Sequence, residues 1–192
     1  MRTALEPVTM QHFALIHHFD VTDAITQLDA HPELWNAHSE RTVDDTFAGT
    51  SDIWVRFREK DELREPKDFG QPHFPVFYPA WECLPAIKPI VRQLLADVGA
   101  VHLGGILITK IPPGGEIKPH HDRGGWHAEF YTTKVYVPLR TSRRVMNYCE
   151  DEAVVMEEGE AWCFNNLVTH SVVNAGDTDR ITLIVCMRTE GL

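Results

Sequence analysis

The stretch Pro119-His120-His121-Asp122 decides how the rest of the chain is read. Side chains alternate between faces along a β-strand. A strand here aims His120 and Asp122 one way and His121 the other. An imidazole and a carboxylate on one face make two-thirds of a facial triad of two histidines and one carboxylate. That donor set suits non-haem iron(II). A third donor must come from further along, and His170 is the candidate. Ten residues beyond it, Arg180 opens a strand that is otherwise apolar.

Working outward, the texture on both sides of this stretch is that of short apolar runs cut by Gly, Pro, Asn and Asp. The runs are 103–111, 116–122, 132–139, 144–149, 153–156, 161–165, 168–174 and 180–187. Eight such strands with turn signals between them predict a mainly β fold, a β-sandwich or jelly roll. The first half reads differently. Asp20-Val21-Thr22-Asp23 starts a helix that His31-Pro32 ends. Residues 52–58 alternate, which predicts a strand with one wet side carrying Ile53, Val55 and Phe57 on the other. The charge run from Arg58 through Glu62 to Lys67-Asp68 reads as a solvated loop. Phe69 to Trp81, rich in Pro and aromatics, is either a lid or an irregular connection packed on the core. Leu84, Ile87, Val91, Leu94 and Val98 form a helical stripe, irregular at first because of Pro85 and Pro89, and Gly99 is its natural stop.

The 192 residues are read as one domain, with 1–100 as a helical and strand bracing region and 101–192 as the core that carries the site. A net charge of −10 argues against nucleic acid or an anionic membrane as the main partner, since both reward clustered Lys and Arg. Arg140, Arg143 and Arg144 fit a solvated loop or a small anionic substrate equally well. Cys83, Cys149, Cys163 and Cys186 show no CxxC spacing and read as reduced core thiols. No window approaches the length of an apolar membrane span, so a cytoplasmic protein is expected. His12, His17, His18, His31 and His38 have no ligand-like arrangement.

Each candidate ligand has a plainer reading. His120-His121-Asp122 could be an exposed turn, because Arg123-Gly124-Gly125 follows. His170 could be a hydrogen-bonded core histidine. Arg180 could snorkel to the rim. Taken together the plain readings weaken, since a guanidinium in an apolar strand needs an anionic partner, and a carboxylate fits its planar fork. Thr182 shares the face of Arg180 and can add a hydroxyl donor. His121 is the competing ligand, turned outward if His120 points in. Trp126 and His127, in the loop after the motif, are candidates for substrate contact, and Arg123 and Arg144 are weaker ones.

HxD, a distal His, and an Arg ten residues later with a Thr two beyond it resemble the Fe(II)/2-oxoglutarate-dependent dioxygenases. Five further stretches narrow the resemblance: Leu107–His120, Val137-Pro138-Leu139, Glu158–Asn166, His170–Asn174 and the Arg180 strand. Together they are similar to the aspartyl/asparaginyl β-hydroxylase family over residues 103–187. The resemblance implies a double-stranded β-helix (jelly roll, cupin-like) with Fe(II) on His120, Asp122 and His170. It implies 2-oxoglutarate chelating that iron, its far carboxylate on Arg180 and Thr182. Lys134 and Tyr136 occupy the positions where the family places a basic residue and a His near the iron-side carboxylate; Tyr136 departs from that pattern. The carboxylate at Asp122 makes the chain more similar to the bacterial small-molecule hydroxylases of the group than to the animal protein hydroxylases, and argues against a halogenase. The implied activity is hydroxylation, with O2, of an amino acid or an amino-acid side chain in a peptide. The rival is a metal-binding cupin acting as a small-ligand sensor or isomerase, which would have no need of Arg180.

Overall fold

The computed structural model describes residues 11–62, 68 and 71–189. Residues 1–10, Leu63 to Lys67 in the expected charged loop, and Phe69 at the start of the Pro/aromatic segment lie outside the described residues. The first half carries strand β1 (Phe13–His18), helix α1 (Thr22–Ala30), β2 (Ser51–Phe57), the two-residue β3 (Val76–Phe77), α2 (Ala80–Cys83) and α3 (Ile87–Asp97). The second half carries β4 (Ala100–Ile111), β5 (Glu116–His120), α4 (Trp126–Phe130), β6 (Thr133–Arg140) and β7 (Val145–Cys149). It continues with β8 (Glu152–Val154), β9 (Glu160–Phe164), β10 (His170–Asn174) and β11 (Arg180–Thr189).

Seven strands form one sheet in the order β1-β9-β6-β11-β4-β2-β3, and four form the other in the order β5-β10-β7-β8. From β4 onward the chain keeps crossing: β4, β6, β9 and β11 lie in the large sheet, and β5, β7, β8 and β10 in the small one. That alternation is the expected jelly roll. All eight expected strands are present, with ends shifted by a few residues.

Strand alternation sorts the core into two parts. Val135, Val137 and Leu139 of β6 and Ile181, Leu183 and Val185 of β11 face the helices, where they pack with Leu28, Leu84, Ile87, Val91 and Leu94. Each such fully buried side chain contributes roughly 1.5–3 kcal/mol. Their neighbours Tyr136, Ile184 and Cys186 face the opposite way, into the space between the sheets, with Leu107, Ile111, Ile117, Phe164 and Val172. The first half therefore braces the outer face of the large sheet. The stripe predicted for residues 84–98 is realised from Ile87 as α3, which ends at Asp97, with Gly99 at φ +62° just beyond it. Pro85 separates α3 from α2, and Pro89 sits in the first turn of α3, where its missing N–H costs nothing.

Two expectations are corrected. β2 has no wet side over Asp52–Val55, where all four residues are buried. Ile53 and Val55 face the helices, while Trp54 packs between the sheets and Asp52 is neutralised by Arg41 at 2.6 Å and accepts from Thr109 Oγ1 at 2.7 Å. Arg58 is not solvated: it is 5% exposed, although Glu59 to Glu62 are exposed as expected. Cys149 and Cys186 are buried, Cys83 and Cys163 partly so, and all four are free thiols. Arg140 pairs with Asp29 at 2.7 Å, and Arg143 and Arg144 are exposed. Among the described residues, no helix is long and apolar enough to cross a membrane.

Candidate metal centre and cavity

β5 and β10 are antiparallel neighbours, and their register sets His120 directly opposite His170. The rings lie 4.2 Å apart between centroids. Asp122 is placed differently from the expectation. β5 ends at His120, so strand alternation does not aim the carboxylate; instead the Asp122 N–H donates to Asn166 O at 3.0 Å and folds the chain back toward the imidazoles. One donor atom from each of His120, Asp122 and His170 lies within 4.8 Å of the others. His121 is exposed, turned away as expected.

The hydrogen bonds around these side chains leave free the atoms that a cation would use. His120 Nδ1 donates to Lys118 O at 2.8 Å, and His170 Nδ1 donates to Val168 O at 3.0 Å. A carbonyl only accepts, so both rings keep their lone pair on Nε2. His170 Nε2 is buried and has no partner among the described residues. Burial, reinforced by the charge of Lys134, pushes His170 down to about 4, and burial lowers His120 as well, so both are neutral at pH 7. Asp122 Oδ2 accepts from Lys134 Nζ and from Asn166 Nδ2, the latter at 2.8 Å. Oδ1 stays 3.7 Å from His120 Nε2. Burial alone would raise the Asp122 carboxyl, but the Lys134 ammonium beside it prevails and holds it well below the usual carboxylate range. Two neutral imidazoles, each braced through Nδ1, and one ionised carboxylate with a free oxygen fit a divalent cation.

Arg180 opens β11 and is 1% exposed. Its Nη2 donates to Asn147 Oδ1 at 3.0 Å, while Nε and Nη1 have no partner among the described residues. The guanidinium lies 5.2 Å from the Tyr136 ring centre. Burial pulls Arg180 down to about 10, still cationic at pH 7. Thr182 Oγ1, on the same face, is also buried and has no partner among the described residues. Three unused donors around a buried cation fit a carboxylate. Lys134 and Tyr136 connect the two ends: the register opposes Cys186 to Lys134, Ile184 to Tyr136 and Thr182 to Pro138. Lys134 is committed to Asp122, and Tyr136 stands between Lys134 and Arg180 on the face that looks between the sheets.

A cavity of about 850 Å³ opens beside the His-Asp-His cluster and reaches Lys134, Tyr136 and Cys186. Its outer wall comes from residues that the sequence did not single out. Arg41 covers the Phe47 ring at 3.7 Å, and Phe47 meets His120 edge-on at 5.3 Å. Lys118 pins the same loop through Asp45 at 2.8 Å. Arg58 and His73 line the cavity too. Trp126 and His127 belong to α4 rather than to a loop, and only His127 reaches the cavity wall, with its Nε2 accepting from Gly105 N–H at 3.3 Å. A Cβ on Gly105 would sit 3.2 Å from that nitrogen, a tight approach to the His127 ring. Arg123 and Arg144 are exposed and do not line it.

The two-sheet roll with paired histidines at one end defines the architecture, and comparison with known proteins agrees. A prolyl hydroxylase from Trichoplax adhaerens, solved with a hypoxia inducible factor peptide, aligns with TM-score 0.58 and 13% identity over 95% of this chain and 86% of its own. A Pseudomonas putida prolyl-4-hydroxylase aligns with TM-score 0.55 and 17% identity over 94% and 95%. A 2OG-Fe(II) oxygenase family oxidoreductase from Burkholderia pseudomallei aligns with TM-score 0.53 and 12% identity over 90% and 91%. At such identities the likeness is one of fold. No curated protein matches the sequence significantly. The family model described as Aspartyl/Asparaginyl beta-hydroxylase matches residues 77–189, more than half of the sequence. The chain belongs to that family.

Proposed function

We propose that the protein is an Fe(II)- and 2-oxoglutarate-dependent dioxygenase that hydroxylates an unactivated C–H of an amino acid or amino-acid side chain. The observation that carries this reading is the pairing of two unsatisfied sites across one sheet interior: an orphaned His170 Nε2 in a His-Asp-His cluster, and an orphaned guanidinium edge on Arg180. A metal-binding sensor or isomerase accounts for the first and leaves Arg180 buried without an anion. Family membership and the fold of the oxygenases above support the same reading.

In this reading His120, Asp122 and His170 hold the iron, and Arg180 with Thr182 holds the far carboxylate of 2-oxoglutarate. Iron and 2-oxoglutarate together supply the oxygen-activating chemistry, in which O2, 2-oxoglutarate and substrate C–H become succinate, CO2 and C–OH. The chain's own contribution is placement. Lys134 and Asn166 hold one oxygen of Asp122 and leave the other for the metal. The carbonyls of Lys118 and Val168 fix the tautomer and tilt of the two imidazoles. Tyr136 and Ile184 keep the space between the sheets apolar. We also propose that residues 1–100 and 101–192 form one domain, because the outer core is shared by α1, α3 and the large sheet.

The test is iron-dependent succinate formation. Wild type forms succinate from 2-oxoglutarate, and His120→Ala, Asp122→Ala and His170→Ala each lose it. Succinate at the wild-type rate from any of the three overturns the assignment.

A further inference from the structure

The cavity holds a second buried cation that the chemistry at the metal does not use. Arg58 follows β2 directly, and its side chain is 6% exposed. Its Nε donates to Glu62 at 3.2 Å and its Nη2 to Pro72 O at 3.3 Å, while Nη1 is buried with no partner among the described residues. His73 is 8% exposed and lines the same cavity. Its Nδ1 donates to Gln71 O at 3.0 Å, so its Nε2 is an acceptor, and that atom is also buried without a partner. His73 stacks on His127, the centroids 5.4 Å apart and the planes within 14°. His127 and His73 are therefore adjoining parts of the wall of a cavity that Arg58, His120 and Asp122 also line. Glu40 lines the cavity as well, with Oε2 buried and unpartnered and Oε1 facing Lys60 at 3.3 Å.

A guanidinium N–H and an imidazole acceptor, each buried without a partner on residues that line one cavity, are destabilising unless something bonds them. One small group answers both: a carboxylate that accepts from Arg58, with an N–H beside it that donates to His73. We propose that Arg58 and His73 anchor the substrate by the main-chain head group of a free α-amino acid, α-carboxylate on Arg58 Nη1 and α-amino group on His73 Nε2, with Glu40 adding negative charge for the ammonium. The side chain of that amino acid then extends along His127 toward the metal cluster. A residue inside a polypeptide has neither group to offer. This inference rests on the oxygenase reading and narrows it to free amino acids.

The experiment compares each free proteinogenic L-amino acid with its C-terminal amide, using wild-type protein loaded with iron(II) and 2-oxoglutarate and following succinate. At least one free acid is expected to raise succinate formation, with its amide at least tenfold poorer in kcat/KM. Arg58→Gln is expected to raise KM for that acid at least tenfold, with no matching rise in KM for 2-oxoglutarate. His73→Phe keeps the stacked ring and loses the acceptor, and it is expected to raise the same KM. Equal use of acids and amides overturns the anchor, whatever the variants do. Iron and 2-oxoglutarate binding with no response to any free acid also overturns it and leaves the oxygenase reading standing. Failure to bind iron at all removes both.

Discussion

Arg180 is a cation that the folded chain keeps in the dark without an anion. Among the described residues, Asn147 alone bonds it, and two of its nitrogens have no partner. Arg180→Met should therefore melt, ligand-free, at a temperature equal to or above that of wild type, because an uncompensated buried charge is replaced by a matched apolar volume. Added 2-oxoglutarate should raise the melting point of iron-loaded wild type, by about 2.7 kcal/mol of stability at a hundredfold excess over Kd. It should barely move the variant. A lower ligand-free melting point together with an undiminished response to 2-oxoglutarate would make Arg180 a structural residue. His127 makes a second prediction. Burial, aided by the charges of His73 and Lys134, pushes it down to about 3, whereas in the unfolded chain it titrates near ~6.5. Below about pH 6.5 the unfolded chain takes up a proton there that the folded chain refuses, so stability falls with pH, at up to about 1.4 kcal/mol per pH unit from this group. His127→Gln keeps an acceptor for Gly105 N–H and should flatten that fall between pH 6.5 and 4.5; parallel melting curves would contradict it. At this scale the sequence displayed the candidate metal ligands, because an HxD, a lone strand histidine and a strand arginine are each out of place in their surroundings. It hid Arg58, because four charged neighbours at 59–62 make it look like one more solvated residue.

Elements position these side chains through register and through ties between strand ends. Asn174 ends β10 and is fully buried. Its Nδ2 donates to Ile111 O at 3.0 Å, Pro112 O at 3.1 Å and Thr178 O at 2.9 Å, and its Oδ1 accepts from Gly176 N–H at 3.0 Å. It thereby ties the end of β4 to the turn that delivers Arg180 to β11. Asn174→Ala leaves several buried backbone groups unpaired and should cost about 1–3 kcal/mol, lowering the urea midpoint with the slope unchanged. An unchanged midpoint would mean that the turn holds itself. The eight strands were legible because Gly, Pro, Asn and Asp punctuate each apolar run. Several other elements were not, β1 and α2 among them. β3 has two residues and α4 five, too few to show a period, and both exist through contacts made elsewhere in the chain. β2 read as half-wet because Asp52 interrupts its apolar pattern, yet Arg41, far from it in the sequence, neutralises that carboxylate inside the fold.

At the scale of the whole molecule, an acidic chain of net charge −10 encloses cationic side chains in its interior, Arg58, Lys134 and Arg180 among them. Of these, Lys134 has a close carboxylate buried with it, Arg58 leans on a half-exposed Glu62, and Arg180 has no carboxylate partner among the described residues. The helices cover the outer face of the large sheet and β1–β3 extend its edges, which lets the inner face carry polar groups that would otherwise weaken a core. Such an interior carries a cost that, on the proposed reading, bound anions and a metal offset. The most direct measurement is an anaerobic titration with iron(II) and then 2-oxoglutarate, followed by visible absorption. Wild type should develop a weak visible band that saturates at one equivalent of each, His170→Ala should give none, and Arg180→Met should need about tenfold or more 2-oxoglutarate. A band of wild-type strength in His170→Ala, or no band in wild type, would contradict the account.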